Sequence, residues 1–345
     1  MSDYMLVYKK AELIRHGKIR LDCNIGFPLE RSTSGPSSWE KTIALKLEDK
    51  HRVKLRINED AKFVLIKSEN SFQIVTTSGD IFVKNVNTIP ILFHAPEQAF
   101  INIEDRCIYG CIFCNNARLS KNSFLQKYND SMFVDLILKA SKREDFKAVA
   151  LTSGVYPDTK TIIKRMTHII KEIRKKLPII PIGVEPYVED KNEIIQLKEA
   201  GADEIKINIQ TPNKQVFKKT CPGMKYEKIL DLLDYAVEIF GENKVTSNII
   251  YGLGEETVDI LNNIELLAEK GVVPNLRLVR INDQNKKRIE KMMNRKLENP
   301  PSADYIVFLS KQLKNVLKDN NLTTLEFKTM CQPCNCCDIV PFYDI

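Results

Sequence analysis

The sequence lacks any apolar segment long enough to cross a membrane. No apolar run approaches the ~18–20 residues that a bilayer-spanning helix needs. The first residues, Met1 to Met5, have neither the basic stretch nor the apolar stretch of a secretion signal. These absences predict a cytoplasmic protein that does not act in a membrane.

The chain also lacks a strong excess of either charge. The net charge is +7 over 345 residues, and basic and acidic residues are interspersed. The basic run from Lys286 to Lys296 includes Glu290, which is typical of a solvated helix face rather than a nucleic-acid surface. The loop Pro28–Ser38 shows no phosphate-binding pattern around Gly35. We therefore do not expect a nucleic acid as the partner.

Cysteine, by contrast, is abundant and grouped. Seven of the nine cysteines fall in two groups, which in a cytosolic chain indicates metal binding rather than disulfides. The first group is Cys107, Cys111 and Cys114, spaced C-x3-C-x2-C. Three thiolates on one loop can hold three irons of a cubic 4Fe–4S cluster and leave the fourth iron open. A zinc knuckle or a redox thiol group is the alternative, but zinc needs a fourth Cys or His, and none follows within about fifty residues.

The second group places four cysteines within seven residues near the end of the chain: Cys331, Cys334, Cys336 and Cys337. Side chains of adjacent residues diverge, so we expect three ligands here, with one or both of the last two cysteines taking part. A fourth ligand can come from Cys23, Cys221 or a group other than cysteine. We favour a second iron–sulfur cluster over a zinc site or a redox pair, because the first loop already implies redox chemistry.

Residues 1–92 are predicted to form a small, mostly β accessory module. A helix is expected near Tyr8–Lys18. Short alternating runs separated by turn residues then predict a small antiparallel sheet; these runs are Thr42–Leu47, Arg52–Ile57, Phe63–Ile66, Phe72–Val75 and Ile81–Val83.

Residues 93–282 show a different pattern, in which strands and long helices alternate. The predicted strands are Ala99–Ile103, Ala148–Leu151, Ile179–Val184, Ala202–Ile209, Val245–Ile250 and Leu276–Ile281. Repeated βα units require parallel strands with helical crossovers. Either an open doubly wound sheet or a curved partial barrel satisfies this pattern. Residues 283–345 are predicted to contain a last helix, a short strand at Leu325–Phe327 and the cysteine-rich tail.

The C-x3-C-x2-C spacing, with Phe113 before the last cysteine, resembles the cluster loop of the radical S-adenosylmethionine (radical SAM) enzymes. The resemblance covers about residues 93–282 and is closest to the biotin synthase and lipoyl synthase branch. It implies an α/β fold with a partial, TIM-like (β/α)6 barrel and chemistry at the carboxyl ends of the strands. In that family the open iron binds S-adenosylmethionine (SAM), and one electron cleaves it to a 5′-deoxyadenosyl radical.

Further segments carry the resemblance and imply SAM-binding residues. Thr152, Ser153 and Gly154 follow the second strand, where the family contacts the methionine amino group. Asn208 and Gln210 resemble the Asn-x-(Asp/Glu)-Thr segment that holds the ribose hydroxyls, although Gln210 lacks the usual charge. Period-two alternation places these last two side chains on the same face.

The stretch from Asn248 to Glu255 resembles the family's G-x-I-x-G-x-x-E motif, in which Ile250 and Gly252 lie near the adenine. Glu185 ends the third strand and can reach the cofactor. Two arginines, Arg277 and Arg280, are three residues apart on the sixth strand, so we expect at most one of them to point inward. Arg280 is assigned to the cofactor.

In Pro222-Gly-x-x-Tyr226, a segment similar to one of lipoyl synthases, Cys221 replaces the family's Arg, whose role therefore does not transfer. The resemblance implies a low-potential electron donor, ferredoxin or flavodoxin. Sulfur insertion in cofactor biosynthesis is the leading expectation, with a partner radical SAM chain or a protein-bound substrate as further partners. Another radical reaction, such as a methylation, rearrangement or modification, is the alternative, with the second cluster as electron relay or substrate anchor. The remaining alternative is a zinc- or nucleic-acid-binding module without enzymatic activity.

Overall fold

The computed structural model describes residues 3–27, 29, 31–32, 40–114, 123–297 and 299–345. The predicted loop Pro28–Ser38 lies almost entirely outside these residues. Within the described ranges, no helix combines the length and the apolar content that a membrane crossing requires.

The first part of the chain forms one helix, which is followed in the sequence by a closed barrel of six strands. Its elements are α1 (Asp3–His16), β1 (Lys18–Leu21), β2 (Thr42–Leu47), β3 (His51–Ile57), β4 (Phe63–Lys67), β5 (Phe72–Thr76) and β6 (Ile81–Ile89). The strand order is β1-β3-β2-β6-β5-β4. The five predicted runs form β2 to β6, and the pairings among them are antiparallel, as expected. The sheet closes into a barrel because β1, which the sequence did not predict, pairs in parallel with both β3 and β4. That strand is only four residues long, too short for a periodic sequence signal.

The second sheet has eight strands and carries the six predicted βα units. Its strands are β7 (Ile91–Leu92), β8 (Ala95–Pro96), β9 (Gln98–Asn102), β10 (Ala148–Thr152), β11 (Ile182–Glu185), β12 (Glu204–Lys206), β13 (Val245–Tyr251) and β14 (Val273–Leu278). They lie side by side in chain order, and β9 to β14 are all parallel. Because Phe100 of β9 and Arg277 of β14 line one cavity, the sheet must curl.

Helices connect and follow the strands of this curled sheet. They are α2 (Asp130–Ala140), α3 (Thr159–Lys176), α4 (Lys191–Ala200), α5 (Lys214–Thr220), α6 (Tyr226–Phe240), α7 (Thr257–Glu269), α8 (Lys286–Met293) and α9 (Ala303–Asp319). The short α10 (Cys331–Cys334) lies inside the curled sheet instead. In α3 the isoleucines recur at helical spacing and are buried. At the start of α4, Asp190 and Glu193 form a capping box, and Gly201 ends the helix with a φ of +109°.

The α/β class and the partly closed, curled sheet are therefore confirmed. Several strand boundaries differ from the prediction, and the last strand spans Val273–Leu278 instead of Leu276–Ile281. Residues Leu325–Phe327 form no strand, contrary to the prediction. This segment has alternating residues but finds no strand to pair with among the described residues.

The C-terminal segment runs into the interior of the curled sheet. The buried Glu204 carboxylate accepts hydrogen bonds from the backbone N–H groups of Lys328 (2.7 Å) and Thr329 (3.0 Å). Gln98 exchanges two hydrogen bonds with the backbone of Met330. A Cβ on Gly183 would lie 2.0 Å from the Thr329 Oγ1 atom. Glycine at position 183 therefore lets the tail lie directly against β11.

Candidate active site

Both groups of cysteines face one cavity of about 250 Å³ inside the curled sheet. All seven line it: Cys107, Cys111, Cys114, Cys331, Cys334, Cys336 and Cys337. Most of the predicted cofactor residues line the same cavity, namely Phe113, Thr152, Ser153, Gly154, Glu185, Asn208, Gln210, Ile250 and Arg280. The structure thus brings together segments that are more than 200 residues apart in sequence.

The first cysteine loop is held by backbone contacts at both of its ends. The Ile108 N–H donates to the Val155 carbonyl (2.8 Å), and the Ile112 N–H donates to the Thr220 carbonyl (2.9 Å). Asn285 Nδ2 donates to the carbonyl of Phe113 (3.2 Å), and Arg288 donates to that of Cys114 (3.2 Å). These contacts fix the loop at the carboxyl ends of the strands, with its three thiols partly exposed.

Gly154 permits a close approach of the backbone that precedes this loop. Its N–H donates to the Glu104 carbonyl at 2.6 Å, and a Cβ at this position would lie 2.2 Å from the Arg106 carbonyl oxygen. A backbone oxygen cannot move aside as the end of a flexible side chain can. Glycine is therefore required here for packing, in addition to the cofactor contact that the sequence predicts.

A polar network occupies the wall formed by the ends of β11 to β13. Asn208 Nδ2 donates to the Glu185 carboxylate (2.8 Å), and Asn208 Oδ1 accepts from the Asn248 N–H (3.0 Å). Gln210 has a φ of +73°, a backbone conformation that residues other than glycine rarely adopt. Such strain is concentrated at functional sites, because the surrounding structure must enforce it.

Gly252 is the exception among the predicted cofactor residues, because it does not line the cavity. It has a φ of +91°, and its N–H donates to the Glu255 carboxylate, which also accepts from the Leu253 N–H at 2.9 Å. Gly252 and Glu255 therefore shape the turn after β13 and support Ile250, which does face the cavity.

Two buried cations contact the first cysteine of the C-terminal group. Lys206 Nζ lies 3.1 Å from the Cys331 Sγ atom and 2.9 Å from the Glu185 carboxylate. Arg277 lies 3.3 Å from the same sulfur and 2.9 Å from the Asp338 carboxylate. Burial raises the pKa of the Cys331 thiol, and the two cations oppose that rise. They suit a sulfur that carries negative charge when it binds a metal.

Two cysteines of this group, Cys334 and Cys336, are buried, whereas Cys337 is half-buried like Cys331. Cys336 is hydrogen-bonded to Cys334, and this contact, aided by the nearby Lys54, lowers the pKa of Cys334. A lowered pKa favours the thiolate, which is the form that ligates metals. Within the described residues, no three His, Cys, Asp or Glu side chains lie close enough together to hold a single metal ion.

Residues 101–267 match the family model described as the radical SAM superfamily. The chain therefore contains a radical SAM domain. This family implies a 4Fe–4S cluster and SAM as cofactors.

Three curated relatives show how broad this similarity is. A lipoyl synthase of Buchnera aphidicola subsp. Schizaphis graminum is 24% identical over 197 residues, covering 54% of this chain and 58% of that protein. A GTP 3′,8-cyclase of Aliarcobacter butzleri is 25% identical over 178 residues, with coverages of 50% and 52%. A biotin synthase of Cutibacterium acnes is 24% identical over 170 residues, with coverages of 48% and 46%. The chain spans about half the length of these relatives, and their names describe different reactions.

The donor set of the cavity fits the radical SAM cofactors. The three thiols of the Cys107–Cys114 loop match the three iron ligands that such a cluster needs, and the cavity extends from them past Thr152–Gly154 to Asn208 and Gln210. Polar groups suited to an amino acid and a ribose thus line the same cavity. Ile250 adds an apolar surface suited to an adenine.

One sequence prediction about the radical SAM cavity is wrong. Arg277 and Arg280 both line it, although we expected at most one to do so. The reason is that β14 ends at Leu278, so strand alternation no longer applies at Arg280. Neither Cys23 nor Cys221 is part of the lining: Cys23 donates to the Leu65 carbonyl (3.4 Å), and Cys221 is buried beside Thr220.

Sequence reasoning missed three charged residues of the site: Lys54, Lys206 and Asp338. Lys206 did carry a signal, because it stands between the apolar residues Ile205 and Ile207, in a segment that is buried throughout residues 204–207. Lys54 comes from β3 of the N-terminal barrel, and nothing in its local sequence indicates that it reaches a cavity in the other sheet.

Proposed function

We propose that this protein is a radical SAM enzyme that removes a hydrogen atom from an unactivated C–H bond, for sulfur insertion in the biosynthesis of a cofactor. The observation that carries the proposal is that both cysteine groups open onto one cavity at the strand ends of a radical SAM sheet. When bound through Cys107, Cys111 and Cys114, the cluster supplies the electron that cleaves SAM to a 5′-deoxyadenosyl radical.

The protein's own residues bind and orient the reactants. Thr152–Gly154 faces the amino acid end of SAM, and Asn208, oriented by Glu185, faces the ribose hydroxyls. Gln210 is held on the same wall by its strained backbone. The curled sheet and its loops exclude water, which protects a reactive radical from side reactions.

Sulfur insertion requires a sulfur source within reach of the substrate radical. The C-terminal cysteines support this role, because they line the cavity that the first loop also lines. We propose that Cys331, Cys334, Cys336 and Cys337 hold a second iron–sulfur cluster. The contacts of Lys206 and Arg277 with Cys331 offset the negative charge that thiolate ligands bring into a buried site.

A second candidate role for these cysteines is electron transfer to the first cluster. One observation favours it: Pro333 and Asn335, the neighbours of Cys334 and Cys336, line a separate groove on the outer surface. An electron can therefore reach this group from outside without crossing the active-site cavity. In either role the enzyme needs a low-potential donor, and a partner chain or a protein-bound substrate remains part of the proposal.

The central test is anaerobic SAM cleavage. After reconstitution with iron and sulfide and reduction with dithionite, the wild type should form 5′-deoxyadenosine and contain about eight irons per chain. Cys107→Ala should abolish deoxyadenosine formation, whereas Cys23→Ala, a cysteine outside the cavity, should retain it. Full activity in Cys107→Ala would contradict the proposal.

Iron and sulfide counts separate the candidate reactions. Sulfur donation predicts that labile sulfide falls in step with product formation, while an electron relay leaves the sulfide content constant through many turnovers. About four irons together with zinc would retain the radical chemistry and remove the sulfur donor.

A further inference from the structure

A second concave surface lies outside the active-site cavity, where the N-terminal barrel meets the curled sheet. It has a volume of about 520 Å³ and is lined by five basic residues, Lys46, Lys50, Arg52, Lys147 and Lys328. Glu97 is the only carboxylate among its described lining residues. We call this surface the basic groove. Its excess of positive charge contrasts with the balanced charge of the chain as a whole.

One carboxylate orders part of the positive charge of the basic groove. The Glu97 carboxylate accepts hydrogen bonds from Arg52 (2.8 Å) and Lys147 (2.6 Å). This one acidic group fixes two cations at the rim. Asp49, outside the lining, pairs with Lys46 (3.2 Å), so these two carboxylates leave three of the five positive charges in excess. Lys50, Lys147 and Lys328 are exposed, so their charge reaches the solvent in front of the groove.

The floor of the basic groove is the C-terminal cysteine segment itself. Pro333 and Asn335, which flank Cys334, line the groove directly. The Lys54 N–H of β3 donates to the Cys336 carbonyl at 2.8 Å, so the barrel wall lies against the same segment. Arg52 interacts electrostatically with both Cys334 and Cys336. The groove and the active-site cavity therefore lie on opposite sides of the same few residues.

We propose that the basic groove docks an acidic one-electron donor protein, whose electron passes through the second iron–sulfur cluster that the proposed function assigns to the C-terminal cysteines. The inference rests on the proposed radical chemistry, which consumes one external electron per SAM cleaved. The donor is oxidised by one electron, and that electron is taken up as one C–S bond of SAM breaks to give methionine and the 5′-deoxyadenosyl radical. Complementary charge steers such encounters and fixes the orientation of the partner.

The location of the charge argues for a redox protein over another acidic partner. A basic surface for general anion binding has no reason to lie above a cysteine group. Here Pro333 and Asn335, which line the groove, are the two sequence neighbours of Cys334, so the groove floor lies directly beside this cysteine. The only aromatic residue among the described lining residues is Tyr343, so the stacked aromatic side chains typical of single-stranded nucleic-acid sites are missing from this part of the structure.

The test compares two charge-reversal pairs. Lys147→Glu with Lys328→Glu changes the rim of the groove, and Lys164→Glu with Lys171→Glu changes the exposed face of α3 by the same total charge. Binding of an acidic flavodoxin is measured by calorimetry at low and high salt. Deoxyadenosine formation is then measured with flavodoxin, its reductase and NADPH, and separately with dithionite.

The groove pair should weaken flavodoxin binding at least tenfold at low salt and slow the flavodoxin-driven rate, with the dithionite-driven rate unchanged. The α3 pair should differ little from the wild type, and salt should weaken wild-type binding. Equal affinity of both pairs for flavodoxin would overturn docking at the groove. If the groove pair also loses dithionite-driven activity, the milder pair Lys147→Gln with Lys328→Gln is tested instead. Wild-type affinity of this pair for flavodoxin would overturn docking at the groove.

Failure of the radical proposal gives a different result. In that case the fully loaded wild type forms no deoxyadenosine with dithionite, whatever the binding data show. Groove-dependent flavodoxin binding in such a protein would still support the docking surface, because the binding measurement does not depend on SAM cleavage.

Discussion

Substitution of Gly183 by Ala is expected to displace the C-terminal segment from the curled sheet. The added Cβ would lie 2.0 Å from Thr329 Oγ1, 2.9 Å from Thr329 Cβ and 3.0 Å from Met330 Cε. The first two of these distances are shorter than any real Cβ contact, so Thr329 must move. It cannot move freely, because its hydroxyl and its N–H both donate to the buried Glu204 carboxylate. Met330 is followed immediately by Cys331, so a displacement reaches the second cysteine group.

The size of the effect follows from overpacking and from the lost hydrogen bond. Overpacking a well-packed core costs about 1–3 kcal/mol. A hydrogen bond to a charged group contributes about 1.5–3 kcal/mol, and a displaced Thr329 weakens one to Glu204. We therefore expect Gly183→Ala to lower the free energy of unfolding by about 2–4 kcal/mol. It should also lower the iron content from about eight toward four, since the first cysteine loop lies elsewhere.

The assay is urea unfolding combined with iron analysis of the wild type, Gly183→Ala, Thr329→Gly and the double variant. Thr329→Gly removes both atoms of residue 329 that the new Cβ would meet. If the contact is direct, Gly183→Ala should cost much less in the Thr329→Gly background than in the wild type. Additive costs in the double variant would refute the reasoning, because distant and independent substitutions add within about 0.5 kcal/mol.

Three further outcomes are expected. Gly154→Ala should abolish deoxyadenosine formation, since its Cβ would meet the Arg106 carbonyl, whereas iron at the C-terminal cysteines is retained. Burial raises the pKa of Asp344, but Lys10 and a hydrogen bond from His51 outweigh burial and hold the pKa below its usual value. The ionised Asp344 should therefore stabilise the fold at pH 7, and this contribution should be lost as the pH falls through the lowered pKa. Urea unfolding between pH 7 and pH 3 measures this loss. Lys10→Met should cost about 3–5 kcal/mol at pH 7 in the same assay, because it leaves that buried carboxylate unpaired.

Specific experimental results would contradict these predictions. Loss of iron from both cysteine groups in Gly154→Ala would indicate general misfolding instead of a local displacement of the first loop. A Lys10→Met variant as stable as the wild type at pH 7 would show that the ion pair with Asp344 contributes nothing to stability. Lys9→Met, at the preceding position of α1, serves as the control for the loss of a lysine from this helix.

Local signals in the sequence were sufficient for the βα part of the fold. Helices such as α3 and α4 carry apolar periodicity together with caps, and both signals act over a few residues. The parallel strands between them are short apolar runs whose order the helical crossovers dictate. The closed barrel was not predictable in the same way, since it depends on the four residues of β1 pairing with two distant strands.

The site divides along a similar line. Residues in motif segments at strand ends, such as Asn208 and Ser153, line the cavity as the sequence predicted. Lys54 and Asp338 reach the cavity only because the barrel and the tail fold against the curled sheet. Arg280 shows the limit of alternation, which holds only while the strand continues, because β14 ends at Leu278. Long-range packing therefore determines the part of the site that has no motif.

The ion pair between Lys10 and Asp344 also bears on the order of events during synthesis. Lys10 leaves the ribosome long before its partner Asp344, which lies 334 positions later in the sequence. The loop at Cys107–Cys114 and most of the curled sheet emerge long before residues 331–344 can enter the interior. In the nascent chain the three thiols of this loop are thus exposed to solvent, because the C-terminal segment does not yet fill the interior of the curled sheet. Iron–sulfur loading of that loop can precede completion of the fold, whereas the C-terminal group can be loaded only after synthesis has passed residue 337.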